Sequence, residues 1–123
     1  MQVHLKRAYE PASEDDGLRV LVDRLWPRGL RKQDAHLDLW LQEVAPSSSL
    51  RKWFAHDPAK WEEFQRRYFD ELRAQVEAVA QLRRLAEDQQ VTLVYAARDE
   101  QHTHAAVLKR FLEQEPAGPQ SKP

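Results

Sequence analysis

Apolar residues recur along this chain in two rhythms. Val20, Leu21 and Val22 are apolar on consecutive positions, and the run stops in Asp23-Arg24-Leu25-Trp26-Pro27-Arg28-Gly29. Burial on successive positions predicts a strand covered on both faces, as in a parallel or mixed sheet with helices on each side. Residues 91–97, Val-Thr-Leu-Val-Tyr-Ala-Ala, repeat the pattern and break at Arg98-Asp99-Glu100-Gln101-His102. Val3 and Leu5 alternate with His4 and Lys6, which predicts a short first strand reaching Arg7, Ala8 or Tyr9. The segment from Glu10 to Gly17 has the proline, acids and glycine of a turn and is too short for a crossover helix. The first two strands are therefore expected to pair antiparallel, unless that loop arches over the sheet.

The second rhythm is helical. Leu37, Trp40, Leu41 and Val44 predict a short amphipathic helix, with Asp34 or Asp38 to cap it and Pro46 to end it. Ser47, Ser48 and Ser49 offer cap oxygens to the turn Leu50-Arg51-Lys52-Trp53-Phe54. Asp57-Pro58 is a start signal for a long helix with Trp61, Phe64, Tyr68 and Leu72 on one face, running to about Ala74. Val76, Val79, Leu82 and Leu85 or Ala86 continue the pattern after a break. From Thr103, the positions His104, Val107, Leu108, Phe111 and Leu112 predict a last helix. The expected fold is a single compact α/β domain over residues 1–115, with a small, mainly parallel sheet of about three core strands flanked by four or five helices. The proline-rich residues 116–123 are expected to form a flexible C-terminal tail.

Composition narrows the classes of function. The chain has 123 residues, enough for one core, and a net charge of −1. That balance argues against a membrane or nucleic-acid partner held by bulk electrostatics, and leaves room for a local basic site. With no cysteine there is no disulfide, thiolate nucleophile or cysteine-bound zinc, and with 3 glycines there is no P-loop or dinucleotide fingerprint. No cofactor is expected. The absence of a signal-like or membrane-length apolar run makes a cytoplasmic location the default.

The chemistry-bearing residues collect after the strands. Arg7, Arg24, Arg28 and Arg98 fall at or just beyond the carboxyl ends of the three proposed strands, where open α/β sheets bind ligands. Guanidinium forks suit phosphate or carboxylate, so a convergent set would make an anion site; alternatively each arginine pairs with Asp23, Asp99 or a loop carbonyl. Trp26 and Trp53 are candidates to stack on a base or sugar, or to serve as core. His102, Asp23 and Asp99 are the candidate acid–base groups and His104 a candidate ligand contact. The competing assignment makes Asp23 the partner of Arg24 or Arg98, lets His102 or Thr103 cap the last helix, and packs His104 on it. His102, His104 and Asp99 lack a third close ligand, and no metal site is expected. The best functional expectation is a protein that binds, with or without transforming, a small anionic ligand, phosphorylated or nucleotide-like. That anion is expected near Arg24, Arg98 and the amides around His102, with Arg28 and Trp26 on a mobile rim. The alternatives are a protein-interaction module using Trp26 and Trp53, or a weak nucleic-acid binder; oligomeric state is open.

Several blocks carry a family resemblance: Asp23-Arg24-Leu25-Trp26-Pro27-Arg28-Gly29, Leu50-Arg51-Lys52-Trp53-Phe54, His56-Asp57-Pro58 and Thr92-Leu93-Val94-Tyr95-Ala96-Ala97-Arg98-Asp99. Together they resemble the YeaO-like branch of the domain-of-unknown-function family 488, over almost the whole chain apart from the tail. The resemblance implies a small cytosolic bacterial α/β protein of unassigned activity. It also implies that the broader family has cysteines around the last strand, where Tyr95 and Thr103 stand here, so a cysteine-based mechanism does not carry over.

Overall fold

Val91–Tyr95 is buried at every position and forms β4, the strand on which the sheet is assembled. In the computed structural model, which describes residues 1–114, β1 (Val3–Arg7) pairs with one side of β4 and β2 (Leu18–Leu21) with the other, both parallel to it. A two-residue strand, β3 (Leu39–Trp40), joins the outer side of β2, again parallel, giving the order β1-β4-β2-β3. The fold is a single α/β domain with a four-stranded parallel sheet, and its described residues include five α-helices. The first two strands are not antiparallel neighbours. The loop from Ala8 to Gly17 arches over the sheet, because β1 and β2 both take their hydrogen bonds from β4.

Strand side chains alternate between two faces. Val3, Val20, Val22, Leu93 and Tyr95 point into the main core, against helices α2 (Ser48–Phe54), α3 (Trp61–Ala74), α4 (Val76–Asp88) and α5 (His104–Gln114). The capping signals act as expected. Ser47 Oγ accepts from Leu50 N at 3.1 Å, and Asp57 caps a 3-10 turn over Pro58–Lys60 that runs into α3. The helical rhythm breaks at Gln75 (φ −93°, ψ 61°), between α3 and α4.

The opposite face differs from the expectation of helices on both sides. Ala8, Leu21 and Val94 are covered there by Trp26, Leu30 and Leu37, all from the long loop after β2, which holds only the four-residue α1 (Lys32–Ala35). The helix expected over 37–44 is instead β3 followed by a 3-10 turn, Gln42–Val44. Leu41 N donates to Leu21 O (2.9 Å) and Trp40 Nε1 to Asp23 O (2.7 Å), so the segment is tied to β2 as an extended chain.

Nearer the amino ends of the strands this face is polar. Asp16, buried, accepts from Lys6 Nζ (3.0 Å), Arg19 Nη1 (2.7 Å) and its own cap Ser13 N (3.0 Å). Arg19 spends its remaining donors on the carbonyls of Ala35 and His36. Gly17, at φ 65°, closes the turn where a Cβ would lie 2.4 Å from Gln90 O. No other residue type fits there without displacing the backbone. Among the described residues no helix is long and apolar enough to cross a membrane. The expected tail, 116–123, lies outside the described residues.

Candidate functional site

Where β2 and β4 run parallel, their carboxyl ends open side by side, and α5 returns from the end of β4 to close a third wall. The helix α2 and the turn after it form the fourth. The resulting crevice holds about 760 Å³ and is lined by Asp23 and Arg24 after β2, residues 96–99 after β4, and His102, Thr103 and His104 at the start of α5. From α2 and its turn come Arg51, Lys52, Phe54, His56 and Pro58.

Four fixed cations, Arg24, Arg51, Lys52 and Arg98, face two carboxylates, Asp23 and Asp99. A chain of net charge −1 thus holds a locally positive cleft. Arg24 is anchored: its Nε donates to Pro46 O (3.0 Å) and Nη2 to Ala45 O (3.1 Å), which fixes its charge on the wall without cancelling it. Arg51, Lys52 and Arg98 are exposed, and their side chains meet no hydrogen-bond or ion-pair partner among the described residues.

Each carboxylate is joined to a histidine. Asp99 Oδ2 lies 2.7 Å from His102 Nδ1, while Oδ1 accepts from the amides of Gln101 (3.0 Å) and His102 (3.2 Å). The His102 hydrogen bond, aided by those amides, holds the Asp99 carboxyl below its ordinary range. Asp23 Oδ2 accepts from Ala96 N (3.0 Å), clamping the ends of β2 and β4 together, and Oδ1 lies 3.2 Å from His104 Nε2. That same nitrogen lies 3.0 Å from Val22 O. Beneath the pair is Tyr68, fully buried, its hydroxyl donating to Val44 O and its pKa pushed well up by burial.

Of the residues singled out in the sequence, Asp23, Arg24, Arg98, Asp99, His102 and His104 converge on this crevice. The others do not line it. Arg7 donates Nε to Ala97 O (2.9 Å) and Nη2 to Ala96 O (3.3 Å), bracing the β4 loop from behind. Trp26 lies on the opposite sheet face, its Nε1 donating to Leu30 O (2.6 Å) and its ring edge-on to Trp40. Arg28 sits in the same loop, where its carbonyl accepts from Tyr9. Trp53 is enclosed by Lys60 and Arg67, each over its ring. Asp23 makes no ion pair with Arg24 or Arg98; its partners are Ala96 N and His104. The amides expected to receive an anion near His102 are engaged by Asp99 itself.

Sequence reasoning missed Arg51, Lys52 and His56. Arg51 and Lys52 form a basic pair in the last turn of a short helix, which reads equally as a favourable charge at a helix C-terminus, and His56 follows the cap of that helix with no chemical pattern around it. Thr103, in the region where the family resemblance implies a cysteine, is buried and accepts from Ala105 N on its hydroxyl (3.2 Å).

The family model described as the inactive DUF488-N3 subclade, DUF488-N3i, matches residues 2–122. An uncharacterised protein of Mycobacterium tuberculosis (strain ATCC 25618 / H37Rv) is 46% identical, covering 90% of this chain and 93% of its own length. The uncharacterised protein YeaO of Escherichia coli (strain K12) is 41% identical over 91% of this chain and 97% of its own. No solved structure matches the chain.

Proposed function

The chain belongs to the inactive DUF488-N3 subclade, and from that premise we propose that it is a binding protein for a small anionic ligand, phosphorylated or nucleotide-like, held at the carboxyl ends of β2 and β4. The observation that carries this reading is the trio Arg51, Lys52 and Arg98, three cations that share one crevice and have no partner among the described residues. Cations serving only solubility or surface pairing would be dispersed or matched, as Arg66 and Arg67 are by Glu63 on α3. Arg24 adds a fixed charge, and Arg7, held on the carbonyls of Ala96 and Ala97, stiffens the loop that presents Arg98. Preorganised charge of this kind raises affinity by reducing the ordering cost of binding. The description of the family as inactive, and a chain without cysteine, both favour binding over covalent chemistry.

Calorimetric titration with 5′-adenosine monophosphate, ribose 5-phosphate and inorganic phosphate tests the proposal. At least one should bind, and Arg98→Ala should weaken it about tenfold, the worth of one charge-assisted hydrogen bond. Thermal unfolding of the variant should be unchanged, because the Arg98 side chain holds nothing else in place. If none of the three binds, or if Arg98→Ala lowers stability and leaves affinity alone, the crevice is not an anion site.

A further inference from the structure

Beside its fixed cations the crevice holds an imidazole whose outward nitrogen is left open. His102 lines the crevice next to Arg98 and Asp99, with 34% of its side chain exposed. Asp99 Oδ2 takes the hydrogen of His102 Nδ1 at 2.7 Å, and that bond, with the amides on Oδ1, keeps the Asp99 carboxyl below its ordinary range and hence charged. With its hydrogen on Nδ1, the neutral ring carries a lone pair on Nε2. Nε2 meets no hydrogen-bond partner among the described residues and is not buried, so it is open to solvent. Asp99 on one edge, and Trp61 standing perpendicular with ring centroids 5.1 Å apart, hold the ring in this orientation.

A phosphate oxygen and a neutral imidazole nitrogen are both acceptors, so they repel until a proton lies between them. The surrounding charge decides where that proton rests. Asp99, behind the ring, favours the imidazolium, whereas Arg24 from the loop after β2, Arg51 and Lys52 from α2, and Arg98 oppose it until an anion offsets them. Asp23 and His104 face each other across β2 and α5, and His56 stands at the lip. From α3 the ring meets Trp61, which does not titrate. We propose that His102 is the proton-bearing contact of the site: a phosphate is taken up together with one proton, which turns Nε2 into a charged donor to it. This rests on the anion-site reading above and adds a binding residue and a pH dependence. The His102 contribution is fully present below the pH range in which a free imidazole titrates and is lost as pH rises through the higher value the ring takes in the complex.

Calorimetric titration of the full chain with 5′-adenosine monophosphate, ribose 5-phosphate and inorganic phosphate compares the parent with His102→Asn, whose amide nitrogen can replace Nδ1 against Asp99 but does not titrate. For a ligand that binds, the parent should be about tenfold tighter than the variant at about pH 5.5, the worth of one charge-assisted hydrogen bond, and no tighter at about pH 8.5. Comparison at equal pH cancels the titration of the phosphate itself. Imidazole 1H–15N spectra of the parent need no variant: on addition of ligand at about pH 7, the His102 ring should gain a hydrogen on Nε2 while keeping the one on Nδ1. A ratio of affinities that is the same at every pH, or a His102 ring that stays neutral with saturating ligand, overturns the inference and leaves the anion site standing. So does a proton gained by His56 or His104 in its place. If none of the three ligands binds, the anion-site reading falls and this inference with it. Should His102→Asn fail to fold, the spectra of the parent decide.

Discussion

At the scale of single residues, the turn between α2 and α3 holds two consecutive side-chain-bearing residues in the left-handed region, Ala55 at φ 48° and His56 at φ 57°. Ala55 is the C-cap of α2, where glycine is the usual solution, its amide donating to Arg51 O. Left-handed backbone costs a non-glycine residue about 1–2 kcal/mol, so the second one needs a reason. The crevice supplies it: His56 stands at the lip, its ring 6.3 Å from that of Phe54. The two positions therefore separate strain from function. Ala55→Gly and His56→Gly should each raise stability by up to about 1 kcal/mol in denaturant unfolding, after the flexibility glycine adds to the unfolded chain is subtracted. Only His56→Gly should also weaken phosphate-ligand binding. Equal binding by the two variants would show that the strain at His56 does not serve the site.

At the scale of elements, the strands and caps were legible because their signals are local. Consecutive apolar residues ending in charge marked β2 and β4, Asp57-Pro58 marked the entry to α3, and the break at Gln75 fell where two apolar phases meet. The segment 37–44 was misread for a specific reason: its helical spacing comes from side chains that serve different cores. Leu37 packs with Leu21 and Val94 on one sheet face, while Leu41 and Val44 join the main core on the other. Nor did the sequence announce the Lys6–Asp16–Arg19 network, since a buried carboxylate in a run of acids looks like a solvated turn. Its energetics are nonetheless definite. Burial alone would raise the Asp16 carboxyl, but hydrogen bonds from Ser13 N, Lys6 and Arg19 outweigh that and hold it below its ordinary value. A depressed folded-state value stabilises fully above the unfolded carboxyl range, about 4, and the contribution is lost as pH falls through the folded value. Asp16→Asn should then cost roughly 3–5 kcal/mol at pH 7, where it leaves Arg19 and Lys6 without their counter-charge. The gap between variant and parent, followed by urea unfolding, should narrow steadily below pH 4. A gap independent of pH would mean that the aspartate acts by shape alone.

At the scale of the whole molecule, the parallel sheet separates two tasks along its strands. The amino ends carry the Asp16 network, which locks the arching loop to β1, β2 and, through Thr92 Oγ1 donating to Asp16 O (2.6 Å), to β4. The carboxyl ends carry the crevice. This division explains why half of the site could be read from the sequence. Residues that follow a strand directly, such as Arg24 and Arg98, are placed by the strand itself, whereas Arg51, Lys52 and His56 are placed by how α2 packs across the sheet, which no local pattern encodes. The same separation explains Arg7 and Arg28: Arg7 ends β1 at the sheet edge and turns to loop carbonyls, and Arg28, after β2, is carried off by the loop that covers the second face. From Leu18 to Leu21 β2 makes three rises of about 3.3 Å, so its two ends are roughly 10 Å apart, and Asp16 and the crevice lie beyond them on either side. Sites more than about 7–10 Å apart without shared partners add their effects to within about 0.5 kcal/mol. Asp16→Asn should therefore lower stability while leaving ligand affinity unchanged in protein that is still folded. Arg98→Ala should do the reverse, and the double variant should show the sum of the two on each measurement. Were Asp16→Asn to weaken binding in folded protein by more than about twofold, the network and the crevice would be coupled through β2 and β4, and the anion would be read by the sheet as a whole.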